Sequence, residues 1–445
     1  MEEQLKDFKN LELEHPFCQN PLKQEVQNTV PTFLSEEIED RQEDKEEIPA
    51  EQAILRFHQQ NQVPNIQYLA KAIQQNDQEK ILNPPWTTIT MKKIKTNQVL
   101  ELLAEIYNKY RGKIPQLERI WLWYPDFLYF KEQLYTYIFE DGPLKPEFRQ
   151  YIAIIASASM DCDYIFGRLT QTFLELGGDP QWIKIGQKAL PSKLQKIQQL
   201  VNIMAYQPWV IIDKKIECNY IKQLKSGDEP WSNAEILHAA SIILLIQFSC
   251  GYQTSFGILP EKEQYFQSQF NTQIESDLGK LNRKSSQLSI NNQHKLFVLK
   301  GNEFSFKIHG VAIISEYDEQ LGVQLLEFIE TIKGMTNNRF GNNEYQTHPF
   351  RKAIRLYIEN LLGYKHDDVN YKDHVPNMND LLPKNLKNFL RIIIKRPKQM
   401  SQKDYDDIPL KGLDITEISH IILLALQAKM ETCLTYLCSA LIKND

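Results

Sequence analysis

An all-α fold is predicted for this 445-residue chain by three observations. Apolar residues recur at helical spacing over most of its length, runs of alternating β-branched residues are scarce, and only 17 glycines punctuate it. The elements follow in order. Residues 1–50 carry 14 acidic against five basic side chains, and this acidic leader is expected to be disordered and solvated. The helical pattern starts near Ile54. The stretch IWLWYPDFLYFKEQLYTYIF, from Ile120 to Phe139, has apolar positions at short helical spacings. PEFRQYIAIIASAS, from Pro146 to Ser159, is apolar on almost every face, so its helix belongs in the middle of a domain. Pro146 suits the first helical turn and Glu147 complements the positive end of the helix dipole. A third helix runs from Cys162 to Leu176 and stops at Gly177–Gly178, where a left-handed cap is easiest.

Residues 261–297 are polar, rich in Ser, Gln and Asn and weakly periodic, which reads as a linker. Apolar periodicity resumes at Leu321–Ile332, Phe350–Leu362, Leu386–Ile394 and Ile415–Leu441. The expected organisation is an acidic leader at 1–50, an N-terminal helical domain at 51–260, the linker at 261–297 and a C-terminal helical domain at 298–445.

With 42% hydrophobic and 24% charged residues, the chain can bury a sizeable core, which excludes disorder throughout, collagen-like repeats and a disulfide-stapled miniature. The net charge of −6 supplies no general attraction to nucleic acid or anionic lipid. Six cysteines lie far apart without metal-ligand spacing, and the first residues hold no apolar signal segment. The expectation is a reduced, intracellular, cytoplasmic protein holding no metal and no cofactor, with entry into the nucleus left open. The longest apolar stretch, Ile236–Phe248, is interrupted by His238, Ser241 and Gln247 and is shorter than the ~20 residues that span a bilayer. No membrane insertion is expected.

Several ordered blocks carry a family resemblance. GPLKPEFRQYIAIIASASMDCDYIF, then LELGGDPQW, AYQPWVI, PWSNAEILHA and SFGI, resemble the N-terminal half of the sestrins, while FRKAIRLYIENLLGYKHDDVNY and LQAKMETCLTYL resemble their C-terminal half. The match spans roughly residues 115–445. It implies two subdomains of alkylhydroperoxidase D-like architecture, the first associated with peroxide reduction. The second is associated with leucine sensing and with restraint of the target-of-rapamycin kinase complex through the GATOR complexes.

Peroxide reduction needs a thiolate and a proton donor for the departing oxygen. The family pattern supplies them as a Cys, a Tyr two residues on and a His seven residues after the Cys. Here Cys162 and Tyr164 are present, but Leu169 stands in place of the His. Arg168 holds its protons permanently and cannot act as the acid. No second Cys lies within three residues of Cys162. Cys162 is therefore read as a buried, small apolar residue inherited from an ancestral site.

A free amino acid needs a cation for its carboxylate, an anion for its ammonium and an apolar wall. The resemblance places Arg351 at the carboxylate, Glu417 at the ammonium and Thr347 at a position that closes over the ligand. A guanidinium can grip a carboxylate bidentately, and both contacts strengthen where water is excluded. Structural alternatives stand beside this reading. Asp414 and Glu417 can form a capping-box-like pair, Thr347 or His348 can cap a helix ahead of Pro349, and Arg351 can pair with Glu344. Two further family threonines fall on Met335 and Asn338, and a pocket tryptophan falls on Leu410, so affinity and side-chain preference are open.

Sestrins contact their GATOR partner through an acidic pair followed by tyrosine. Asp367 and Asp368 keep the pair, and Val369 replaces the aromatic ring. The preferred expectation is a non-catalytic, leucine-responsive regulator that binds a GATOR-type complex. The alternative is a thiol-dependent peroxide reductase centred on Cys162 and Tyr164.

Overall fold

The computed structural model describes residues 96–110, 115–212, 220–258, 299–300, 304–335, 344–365, 381–401, 403–404 and 415–443. The acidic leader and the polar stretch 261–297 lie outside them. Among the described residues the fold is all-α, apart from one two-residue parallel pairing of β1 (Leu299–Lys300) with β2 (Tyr364–Lys365).

The first half opens with α1 (Thr96–Lys109), α2 (Gln116–Trp121) and α3 (Pro125–Glu140). The apolar signal from Ile120 to Phe139 is thus split between two helices. Proline at the first position of α3 disfavours helical backbone at the residue before it, and Tyr124 accordingly sits at φ −132, ψ 73. Next comes α4 (Pro146–Ser159), with Pro146 in its first turn and buried side chains from Arg149 through Ser157. Asp161 then adopts left-handed backbone at φ 52, a conformation aspartate tolerates better than bulkier residues do, and α5 (Asp163–Glu175) follows. That helix ends where the glycines stand. Gly177 is left-handed at φ 82, and the Gly178 amide donates to the carbonyl of Phe173 at 2.9 Å. A side chain on Gly178 would meet the Phe173 ring at 2.4 Å.

After short helical turns comes α6 (Ile197–Tyr206) and then the long α7 (Asn233–Phe256). Ser232 accepts from the Glu235 amide at 3.2 Å while the Glu235 carboxylate accepts from the Ser232 amide at 2.9 Å. This reciprocal box satisfies two amides that the first helical turn would leave unpaired. Gly257, left-handed at φ 69, closes the other end.

Beyond the polar stretch, a π-helical turn at Phe306–Gly310 leads into α8 (Val311–Tyr317) and α9 (Glu319–Gly334). Then follow α10 (Glu344–Leu361), α11 (Lys384–Lys395) and α12 (Ile415–Ile442). Pro349 lies inside α10, which begins at Glu344. This corrects the expectation that Thr347 or His348 caps a helix starting at Pro349: the backbone is already helical before the proline.

The helices α7 and α12 pack against each other and form the axis of the molecule. Both are long and apolar enough to cross a membrane, yet 89% and 100% of their apolar windows are buried within the protein. An apolar circumference with no polar face is what a central helix needs. Helices from both sides of residues 259–298 share this core. Phe127 of α3, Phe248 of α7 and Phe328 of α9 meet with ring centroids 5.3–6.0 Å apart, all nearly inaccessible.

Candidate functional site

The start of α12 is pinned to the first half of the chain. Tyr124 donates its hydroxyl hydrogen to the carbonyl of Thr416, and the hydroxyls of Tyr252 and Ser419 share a hydrogen bond of 2.6 Å. Glu417 falls in the first helical turn, where a carboxylate complements the dipole, and its side chain is buried. Three residues on, His420 shares its face of the helix. His420 is 1% exposed, and neither ring nitrogen has a hydrogen-bond partner among the described residues.

Arg351 reaches this region from α10, which packs along α12. Its Nη1 donates to the carbonyls of Lys333 at 3.0 Å and Met335 at 2.6 Å. These carbonyls belong to the C-terminal end of α9, which carries partial negative charge and lacks partners within its own helix. The guanidinium is therefore held in one place by α9, on a side chain that is itself buried. Its positive charge is felt at His420. Burial first, and Arg351 second, push the imidazole down to about 3, so the ring is neutral at physiological pH. The Arg351 cation and the neutral His420 imidazole thus come together where α9 ends and α12 begins, and the buried Glu417 precedes His420 by three residues on α12.

Met335, the position of a family threonine, contributes its backbone carbonyl to Arg351 while its side chain is buried. Thr347 lies on α10. Asp367, Asp368, Asn338, Leu410 and Asp414 lie outside the described residues.

The cysteine site is separate. Cys162 immediately precedes α5 and is 2% exposed. Its thiol donates to Gln253 Oε1 of α7 at 3.0 Å. One turn earlier on α7, the Cys250 thiol lies within hydrogen-bonding reach of Cys162, and burial followed by that neighbour pushes it well up. Tyr164 is buried on α5, and its hydroxyl accepts from Arg168 Nη1 at 3.4 Å. Arg168 also meets Glu118 at 3.3 Å and stacks over Tyr110 at 4.4 Å. Leu169 is buried in the core. A thiol that is almost wholly buried and donates to an amide carbonyl is shut off from a peroxide arriving from solvent. Among the described residues no group of three or more His, Cys, Asp or Glu is arranged to hold a metal ion.

A family model described as PA26 p53-induced protein (sestrin) matches residues 84–296 and 287–444. The chain belongs to the sestrin family. This sestrin is 23% identical over 407 residues to Sestrin-2 of Homo sapiens, an alignment covering 73% of this chain and 83% of the relative. It is 25% identical over 431 residues to a sestrin homolog of Dictyostelium discoideum, covering 73% of this chain and 70% of the other. Sestrin-1 of Xenopus laevis is 22% identical over 438 residues, with 76% and 88% covered.

Three residues escaped the sequence reading. His420 carries a usable signal, since it stands three residues after Glu417 on the same helical face. Gln253 and Cys250 carried none, because they lie far along the chain from Cys162 inside a long, mostly apolar helix.

Proposed function

We propose that this sestrin is a leucine-responsive regulatory protein that reports amino-acid supply to a GATOR-type complex and so restrains target-of-rapamycin complex 1. The observation that carries the reading is the placement of Arg351. Its guanidinium is fixed on the carbonyl end of α9, beside the buried His420, whose ring nitrogens have no hydrogen-bond partner among the described residues, and His420 itself follows the buried Glu417 by one helical turn. In this reading the Arg351 guanidinium takes the ligand carboxylate, Glu417 takes its ammonium, and Thr347 closes over it. The neutral imidazole can donate or accept without adding charge. Met335, in the place of a threonine, removes one hydroxyl from the wall. Discrimination among apolar side chains then rests on shape, worth only ~1–3 kcal/mol per methylene.

Asp367 and Asp368 form the partner contact in this proposal. The two halves act as alkylhydroperoxidase D-like subdomains joined by residues 261–297, in the cytoplasm and nucleus, with no cofactor. Peroxide reduction is the weaker reading, because Leu169 replaces the relay histidine and the Cys162 thiol donates to Gln253.

Calorimetry with leucine, isoleucine, methionine and arginine tests the site. Leucine is expected to bind saturably and to raise the thermal midpoint. Glu417→Gln, which keeps shape and removes charge, abolishes the response. Absence of any heat or shift at millimolar leucine overturns the proposal. Joint replacement of Asp367 and Asp368 by alanine is expected to abolish partner capture while leaving leucine binding unchanged.

A further inference from the structure

A second charged cavity lies elsewhere in the C-terminal half. It encloses about 130 Å³ and is bounded by the π-helical turn, the end of α9, the middle of α10 and the last turns of α12. One water occupies ≈ 30 Å³ of liquid, so the space suits a ligand of several heavy atoms and is too small for a drug-sized one. Arg355 and Glu359 of α10, Lys333 of α9, Glu431 of α12, Ser305 and Tyr364 carry its polar chemistry. Lys333 borders both places, but neither Arg351 nor His420 nor Glu417 lines this cavity, and Glu431 lies 14 residues beyond Glu417, about 21 Å along α12, so this is not the Arg351 site.

Polar groups facing an enclosed space are normally satisfied by one another. Some here are. Lys333 pairs with Glu431 at 2.7 Å and with Glu330 at 3.3 Å, and the second oxygen of Glu431 accepts from Gln427 at 2.6 Å. Arg355 is different. Its Nε forms an i,i+4 ion pair with Glu359 Oε1 at 3.6 Å, longer than a hydrogen bond, and its terminal nitrogens make no hydrogen bond among the described residues. The hydroxyl oxygen of Ser305 is buried and likewise has no partner among them. A planar guanidinium fork with its donors unspent is suited to a carboxylate. Yet Glu359, with a side chain only 3% exposed, stands beside it. A simple anion entering here meets that carboxylate, and a simple cation meets the guanidinium. A molecule bearing both charges complements both walls. The turn that carries Ser305 strengthens the assignment, since π-helical turns are rare and recur at functional sites.

We infer that the Arg355–Glu359 cavity binds a small zwitterion, its carboxylate on the Arg355 fork and the Ser305 hydroxyl, its ammonium toward Glu359. Binding at this cavity does not depend on leucine binding at Arg351.

Calorimetry on the full chain tests it with glycine and L-alanine as zwitterions, and with acetate and methylammonium as their singly charged halves. Saturable binding of glycine or alanine is expected, with neither half binding comparably. It should be lost in Arg355→Gln and in Glu359→Gln and retained in Arg351→Ala. No binding of either zwitterion up to tens of millimolar overturns the proposal. So does equal binding of acetate, persistence in Arg355→Gln, or loss in Arg351→Ala. If circular dichroism shows that Arg355→Gln fails to fold, Ser305→Ala is decisive instead. Removing that hydroxyl should weaken binding about five- to tenfold, and unchanged affinity overturns the proposal.

Discussion

The guanidinium of Arg351 and the imidazole of His420, on two different helices, are close enough for the first to suppress protonation of the second. The ring is buried, its nitrogens have no hydrogen-bond partner among the described residues, and it titrates near 3 instead of 6.5. In the unfolded chain the same ring takes up a proton below 6.5. Between pH 6.5 and 3 the unfolded state therefore binds more protons than the native state, and stability falls as pH is lowered through that window, by at most about 1.4 kcal/mol per pH unit. It is fully present above 6.5. The thermal midpoint of His420→Asn, which cannot take up that proton, should fall less steeply between pH 6.5 and 5 than that of the unaltered chain. Parallel profiles would refute the assignment.

A second pH dependence comes from the first half. Glu132 is 4% exposed, with Lys131 at 2.5 Å and Lys109 at 2.9 Å. Burial alone would raise its carboxyl, but the two ammonium groups outweigh it and hold the group down at about 2, against an ordinary 4.5. Its contribution is present above 4.5 and is lost as pH falls toward 2. Glu132→Gln leaves two cations around a neutral amide, the nearer of them buried. It is expected to cost about 3 kcal/mol at pH 7, where breaking a buried pair is expensive. Denaturant titrations at pH 7 and pH 3 check the sign: the gap between variant and parent must narrow at the lower pH.

The parts of this arrangement that lie close together in sequence were legible from it. Pro146 and Gly177 mark real helix ends because a missing amide and a left-handed backbone are local requirements. The start of α10 was not legible, since the apolar stripe from Phe350 onward marks where burial begins, whereas the helix begins at Glu344. The sites divide in the same way. Glu417 and Arg351 can be placed through family blocks, but Arg351 anchoring on the carbonyls of Lys333 and Met335 is a backbone contact that no side-chain pattern encodes. Gln253 is 91 residues from the thiol it accepts from, a separation at which periodicity carries no information.

The buried thiols give a chemical test. Cys162, Cys250, Cys433 and Cys438 are all free and buried, and burial pushes Cys433 and Cys438 up to about 12. Because all four are shut off from solvent, a hydrophilic thiol reagent should label none of them in the folded chain at pH 7.5 and all four in denaturant. Site-resolved mass spectrometry after a short pulse distinguishes them. Rapid labelling of Cys162 in the native state would revive the peroxide-reducing reading, and peroxide consumption lost in Cys162→Ser would establish it.

The aromatic contact between the halves decides how they unfold. Phe328 of α9 lies against Phe127 of α3 and Phe248 of α7, and all three side chains sit in one continuous apolar core. Emptying that position by Phe328→Ala removes packing from both halves at once, at an expected cost of about 3–5 kcal/mol. Helices on opposite sides of residues 259–298 melt together only if this shared surface outweighs what each half would retain alone. The unaltered chain should therefore give one calorimetric transition. Phe328→Ala should lower its midpoint and broaden or divide it, since a weakened junction lets the halves open independently. Two separate transitions in the unaltered chain, with only one of them moved by Phe328→Ala, would show that the junction is too weak to couple the halves. In that case a ligand held between α9, α10 and α12 could not be felt by the helices that carry Cys162.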